Sequence, residues 1–497
     1  MEIPEKQIPF GTPIPNLPHA VSCSFPTMRD VIRYEEGDAC LGEILKVAYP
    51  RFVTHHRVIQ WERILQLKFE LEGKVVYCVC PTQAAKDMQQ YLGFQNTSVI
   101  ADEAYGIVAV ANDEETVFRA KKYLQHTGFR ISSRKAEDFL VEEGVIEGSP
   151  NQANPDAYEM LQASLTEKIG VRTKEDVFMA HSGMSAIYAA FRAIDEVQSK
   201  KGRTLWIQLG WMYVDTYEIL NKFAGEDDRK IFIQDPMDLN VLEAILEERG
   251  DQVAGLISEM PTNPLVQTPD PERLLALTRK YGVALVVDPT VSSIVNVDTL
   301  PYCDVLVTSL TKYVSHEGDV MMGAVALQSE SPLYEELKPH IAKFVEPPYS
   351  GDVARVAEQL DNIESIAKIV NANTVQLANF FEDHAGVKCV YWVGAPSNSD
   401  RYHKIEKDEG CTGGMITIDL VKPVAEFYDK CRIPKGPSFG MDRTLMSPFM
   451  YMAHYDIISS STGRDQLLEY GLNPDLIRIS VGTESIDQII AAFDEAL

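Results

Sequence analysis

Several residues of this chain stand where a cofactor could use them. Lys312 follows the apolar run Val305–Val307 through Ser309-Leu310-Thr311. Asp288 closes the run Leu285–Val287, and Glu259 and Pro261-Thr262-Asn263-Pro264 follow Leu256–Ile257. Ser182-Gly183-Met184 stands just before the helix-like stretch Ser185–Val197. Ligands of open α/β sheets sit beyond the carboxyl ends of the strands, so these residues are placed to converge. Their types suit one kind of molecule. A lysine amine condenses with an aldehyde. A carboxylate keeps a pyridine nitrogen protonated and the ring electron-withdrawing. Amides at a helix N-terminus, with nearby hydroxyls, cage a phosphate. An aldehyde, a pyridine and a phosphate together describe pyridoxal 5'-phosphate (PLP). Lys312, Asp288, the Ser182–Met184 turn, Ser309 and Thr311 meet its demands in turn. Taken singly, each has an ordinary explanation: a surface lysine, a turn aspartate before proline, a helix-capping serine. Their joint order along one frame is what favours the cofactor.

The elements that must carry these residues are legible from periodicity. From 156 to about 330, helical pieces alternate with the runs Thr204–Leu209, Val253–Ile257, Val283–Val287, Val305–Val307 and Ala324–Leu327. Near-continuous apolar strands between helices predict a mainly parallel sheet covered on both faces. Residues 331–384 read as mostly helical. A smaller C-terminal α/β segment follows, with strands expected at Met415–Leu420 and Leu476–Val481. Upstream, Lys74–Cys80 and Tyr105–Val110 read as strands, and Thr82–Leu92 and Asp113–His126 as helices, a small βαβα unit. Gly144–Pro155 reads as a linker. Residues 1–57 are proline-punctuated and read as an arm without a core of its own. The expected divisions are therefore an arm (1–57), an inserted unit (58–150), a large domain (151–335), and a helical connection with a small domain (336–497).

Composition narrows the partners. Of 497 residues, 73 are acidic and 46 basic, a formal net charge of −27. That surface repels phosphate backbones and anionic lipid, so neither nucleic acid nor membrane is an expected partner. No apolar run reaches the ~20 residues that span a bilayer, and the N-terminus lacks a signal core. The eight cysteines are scattered and form no zinc spacing, which fits reduced thiols, no metal and a cytoplasmic setting.

With these motifs in hand, the chain resembles the Cys/Met-metabolism PLP enzymes, the cystathionine γ-synthase-like family. Ser309-Leu310-Thr311-Lys312-Tyr313 is similar to the family's PLP-lysine motif, and Ser182-Gly183-Met184-Ser185-Ala186 to its phosphate turn. Glu259-Met260-Pro261-Thr262-Asn263-Pro264 is similar to the segment facing the ring. Arg478 in Ile477-Arg478-Ile479-Ser480-Val481-Gly482 resembles the arginine that binds the substrate carboxylate. Gly11-Thr12-Pro13-Ile14-Pro15, Tyr49-Pro50-Arg51-Phe52 and Ile131-Ser132-Ser133-Arg134 resemble the fungal-type members, which carry an insert after the arm. There are departures. The usual Tyr-Gly-Gly-Thr becomes Tyr213-Val214-Asp215-Thr216, and Ser438-Phe439-Gly440-Met441-Asp442-Arg443 carries an arginine where many members have an acid.

The resemblance implies fold type I with PLP on Lys312. It implies Tyr213 stacked on the ring, Asn263 at the phenolate oxygen, and catalytic roles for Lys312, Tyr213 and Tyr49. It sends Tyr49 and Arg51 into a neighbouring subunit's site, in a homodimer or homotetramer with shared sites. Ser438 and Arg478 would bind substrate. Arg443 would face the substrate's distal end and favour an anionic leaving group, unless it points to solvent or pairs with Asp442 or Asp456. The implied reaction is γ-replacement on an O-acyl- or O-phosphohomoserine by cysteine, giving cystathionine. Sulfide as acceptor, elimination by a lyase of the same fold, and a non-catalytic regulator stay as alternatives.

Overall fold

The computed structural model describes every residue except 1, 81, 82, 96, 102–104, 152, 153 and 226. The first residue of the expected helix Thr82–Leu92 and part of the expected linker therefore lie outside the described residues. The large domain is a seven-stranded sheet. Its strands are β4 (Val177–Ala180), β5 (Leu205–Leu209), β6 (Lys230–Ile233), β7 (Val253–Glu259), β8 (Ala284–Asp288), β9 (Val305–Ser309) and β10 (Gly323–Leu327), in the order β4-β10-β9-β8-β7-β5-β6. The pairs from β9 through β8, β7 and β5 to β6 are parallel, and β10 runs antiparallel to both its neighbours. Every residue of β5, β7, β8 and β10 is buried, because helices cover both faces and leave no side for polar alternation. This is the mainly parallel PLP-type frame expected from the sequence.

The inserted unit holds β1 (Lys74–Val79), β2 (Thr97–Ala101) and β3 (Gly106–Ala111) in the order β1-β3-β2, all antiparallel. It contains the expected strands and helices, plus β2, whose Thr-Ser-Val-Ile-Ala is too short and polar to announce itself. The insert does not stand apart. Its Val79, Met88, Val108, Tyr123, Leu124 and Phe129 share one core with Met184, Ile187, Tyr188 and Phe191 of the helix Gly183–Ser199. On its other face, the helix His56–Lys68 packs Val58, Trp61 and Leu65 against Val76, Ile107 and Leu140.

The C-terminal sheet is antiparallel: β11 (Val387–Tyr391), β12 (Met415–Leu420), β13 (Leu445–Pro448) and β14 (Ile477–Ser480), in the order β11-β12-β14-β13. Three helices, Tyr334–Phe344, Ser350–Ala357 and Ile363–Asp383, lead into it. The arm lies against the rest of the chain: its Cys23, Phe25, Met28, Val31, Leu41 and Leu45 join the main core and not one of their own.

Candidate active site

Lys312 sits three residues beyond β9, on a turn whose backbone is tied to β10 by the Thr311 N–H and the Met322 carbonyl (3.2 Å). Its side chain is only 7 % exposed. Its Nζ lies 3.2 Å from the Tyr49 hydroxyl and 3.2 Å from Ser438 Oγ. Burial pulls the amine below the usual lysine range, which raises its neutral, nucleophilic fraction.

Asp288 ends β8 directly opposite Glu259 at the end of β7. The Asp288 carboxylate accepts the N–H (2.9 Å) and hydroxyl hydrogens of Thr290. Burial pushes its pKa up to about 6. Glu259 is buried too and is pushed well above the carboxylate range, by burial first and by Asp288 second. It accepts the N–H groups of Tyr213 (2.7 Å) and Asn263 (2.9 Å). Glu259 thus ties the ring-side loops together.

Gly183 and Met184 open the helix Gly183–Ser199 beside Ser309, and Gly183 is the closest point: an added Cβ would lie 2.7 Å from the Ser309 Cβ. The Ser182 hydroxyl is turned inward, capping the Ser185 N–H (3.0 Å) and donating to the Gly128 carbonyl (3.2 Å). Its contribution is therefore the turn and not a hydroxyl in the cavity. Gly183, Met184, Ser309, Thr311, Thr290, Asp288, Asn263, Tyr213, Tyr49, Arg51 and Lys312 all line one cavity of about 540 Å3.

Arg478 leaves the middle of β14 and is 5 % exposed. The Asn263 Oδ1 (3.4 Å) and the Pro437 carbonyl (3.1 Å) accept its hydrogens. Burial lowers its pKa to about 10, so it stays a cation at neutral pH. It lines a second cavity, reached past Lys312, with Tyr49, Tyr213 and Phe439.

Within this single chain, Tyr49 and Arg51 already lie at the Lys312 cavity. Arg51 is bonded to Asp215, to the Tyr213 hydroxyl and to the Gln125 carbonyl (3.0 Å). Asp215, which the sequence offered only as a departure from the usual Tyr-Gly-Gly-Thr, is the buried partner of that arginine. Arg443 does not face the site. Its backbone is pinned between Asp442 N–H to His316 (2.8 Å) and Thr444 N–H to Glu484 (2.8 Å). That sends its side chain beside Asp442 (3.4 Å) into a separate surface groove with Pro15 and His316. Thr290, Asp215 and Gln125 were missed. Only Thr290, two residues past Asp288, sat where an Asx-type turn could have suggested it.

The charges fit PLP. Among the described residues Asp288 has no cation within ion-pair reach, and Lys312 none of the acids. A protonated pyridine and an aldehyde would answer both, and Gly183 and Met184, at the start of the helix Gly183–Ser199, line the same cavity, where helix-start amides suit a phosphate. The comparisons agree. The family described as Cys/Met metabolism PLP-dependent enzyme matches residues 152–497. The chain belongs to that family. PLP is its cofactor. Within it, the chain is 36% identical to the L-2-amino-4-chloropent-4-enoate dechlorinase/desaturase of Streptantibioticus cattleyicolor, over 97% of each protein. It is 34% identical to the cystathionine gamma-synthase of Neurospora crassa, over 69% of this chain and 55% of that one. The crystal structure of metB from Corynebacterium glutamicum shares the fold, with a TM-score of 0.59 at 23% identity, over 69% of this chain and 85% of that one.

Proposed function

We propose that this enzyme expels a leaving group from the γ carbon of an L-2-amino acid, giving an unsaturated product, and that the γ end it accepts is small and uncharged. The observation that carries the reading is the second cavity, of about 450 Å3, running on from Lys312 and Arg478. Its far walls are Phe52, Val214, Phe439, Phe449 and Met452, and besides Lys312, which the cofactor takes, Arg478 is the one basic side chain among the described lining residues. The substrate carboxylate takes that cation. A phosphoryl or succinyl group would then be desolvated without a partner, which costs several kcal/mol, on the order of the penalty for an unpaired buried charge. The relatives' names support the same carbon: chlorine on carbon 4 of a 2-amino acid is on the γ carbon, and cystathionine gamma-synthase is named for it.

When bound, PLP supplies the electron sink for negative charge developing next to the amino group. The protein's part follows from the geometry. Arg478 orients the carboxylate with paired hydrogen bonds. Lys312, freed by substrate, takes the Cα proton and returns protons at neighbouring carbons. Ser438 holds its Nζ in place. The Tyr49 hydroxyl is placed to pass a proton toward the departing group. The apolar walls exclude water and competing nucleophiles.

Replacement by cysteine, the expectation from the sequence, is a second reading, supported by the similarity to the Neurospora enzyme. The deciding assay offers 2-amino-4-chloropent-4-enoate, acetyl-, succinyl- and phosphohomoserine, each alone and with cysteine or sulfide. Chloride release and an unsaturated product without any thiol uphold the proposal. Turnover only with cysteine, yielding cystathionine, installs the second reading in its place.

A further inference from the structure

We propose that Asn398 is a positioning residue for the cofactor ring: it pins a strained turn at Val266 and thereby fixes where Asn263 points. This requires Asn263 to face the phenolate oxygen of PLP, as the family resemblance implies, and it is independent of the reaction that follows.

Residues 259–268 run out from the end of β7, and Glu259 and Asn263 line the cavity of Lys312. The backbone there takes an unusual course. Val266 has a φ of +53°. A β-branched side chain crowds its own backbone in that region, so the conformation persists only where the surroundings impose it. Glycine would adopt it freely. This chain instead has a valine, 1 % exposed and packed in the main core. Core packing fixes the side chain, but the buried peptide groups around it need hydrogen-bond partners of their own.

Asn398 supplies them from between β11 and β12 of the C-terminal sheet, 130 residues beyond Thr268. It is 4 % exposed. Its Nδ2 donates to the Val266 carbonyl (2.8 Å), and its Oδ1 accepts the Thr268 N–H (2.7 Å). One side-chain amide thus pairs with the backbone on both sides of Gln267, as a neighbouring strand would. The turn then passes its shape back toward the site. The Val266 N–H donates to the Thr262 carbonyl (3.0 Å), and the Thr262 N–H to the Gln267 carbonyl (2.9 Å). The Gln267 N–H donates to Thr262 Oγ1 (3.0 Å). Thr262 precedes Asn263, so a rotation at Val266 reaches the peptide that carries it.

The same sheet holds the loop next to Asn263. The Thr417 hydroxyl donates to the Pro264 carbonyl (2.7 Å). Thr417 stands opposite Arg478 in the β12–β14 pair, and Arg478 reaches Asn263 Oδ1 (3.4 Å). A guanidinium on Oδ1 turns the Nδ2 donor of Asn263 the other way. The C-terminal domain therefore grips the loop through Asn398, Thr417 and Arg478, and Asn398 is the one that holds the strained residue.

The test is spectroscopic and needs no substrate. The lysine-bound cofactor has a visible absorption band whose pH midpoint reports the proton beside the phenolate oxygen. A donor on that oxygen favours the anion, so losing the donor raises the midpoint. Asn263→Ala sets the scale. Asn398→Leu fills the space of asparagine and makes neither bond. It should raise the midpoint by about half a unit, a threefold change in the ionisation constant. It should also weaken PLP binding in equilibrium dialysis by a similar factor. Asn398→Ala repeats the measurement with a side chain that cannot overpack. A wild-type midpoint in the folded Asn398 variants overturns the proposal, and so does a wild-type midpoint in Asn263→Ala.

Two controls separate positioning from general damage. Phe427→Leu alters the C-terminal core where Phe427 stacks on Phe493. Its midpoint should stay at the wild-type value, and a shift equal to that of Asn398→Leu overturns the specific role. Val266→Gly removes the strain. In that background Asn398→Leu should move the midpoint much less than it does beside valine. An equal shift in both backgrounds overturns strain at Val266 as the thing Asn398 restrains. Because these readings precede any turnover, they stand apart from the product assay that decides between elimination and replacement.

Discussion

At Lys312 the decisive quantity is isolation: a buried amine with two hydroxyls and no carboxylate near it. Lys312→Ala should abolish turnover by at least about 10³-fold, as expected when a group both bonds the cofactor and moves the proton. It should also remove the visible absorption band of the lysine-bound cofactor; a retained, borohydride-sensitive band would refute the assignment. Asp288 gives a stability prediction. Burial holds its folded pKa at about 6, above the unfolded value of about 3.9. The folded state thus binds this proton more tightly. The stability it brings is full below about pH 4 and is lost as the pH rises through about 6. Asp288→Asn should therefore stabilise the cofactor-free protein on the order of 2–3 kcal/mol at pH 7 and hardly at all at pH 4. Urea unfolding at the two pH values checks the sign, and a gain of equal size at both would refute it. For Tyr49, burial alone would raise the phenol, but the cations Lys312 and Arg51 outweigh it and bring the pKa to about 8. A group that passes a proton must first hold it, so the kcat/KM profile should fall as the pH rises through that ionisation, and Tyr49→Phe should erase the fall; an unchanged profile excludes a proton-transfer role.

At the level of elements, the phosphate turn depends on a missing side chain. Gly183→Ala would place a Cβ 2.7 Å from Ser309 Cβ, driving the helix start from the end of β9. Cofactor affinity should fall by about tenfold or more, the effect of a ~1.4 kcal/mol loss; equilibrium dialysis of PLP reads it directly, and unchanged affinity would show that the turn can relax. The elements that positioned the chemistry were legible because their residue types leave few options. Asp288 and Arg478 stand within strands and Lys312 three residues beyond one, and the apolar residues of those strands announce them. What stayed hidden is short, edge-placed or directional. β6 reads Lys-Ile-Phe-Ile and lies at the sheet edge with its residues partly exposed. β11 reads Val-Lys-Cys-Val-Tyr and is another half-exposed edge. Neither shows the buried run or clean alternation that betrays a strand. Arg443 failed differently: spacing placed it near Ser438, but the backbone bonds of Asp442 and Thr444 decide where it points, and those partners lie about 40 or more residues away.

Taken whole, the chain is built so that its added unit and its catalytic frame share apolar contacts beside their polar ones. Tyr123 and Leu124 of the insert and Ile187 and Phe191 of the large domain belong to one cluster. That continuity has a thermodynamic consequence. Anything that stabilises the native frame lowers the population of its locally opened forms, by an amount set by ligand concentration over affinity. Saturating PLP should thus slow amide hydrogen exchange not only in the Gly183–Ser199 helix that cradles it but also in the insert's helix Glu114–Thr127. The insert, with no cavity-lining residue at the cofactor other than through its grip on Arg51, would then report cofactor occupancy from a distance, as a passive gauge written in the exchange rates of its own backbone.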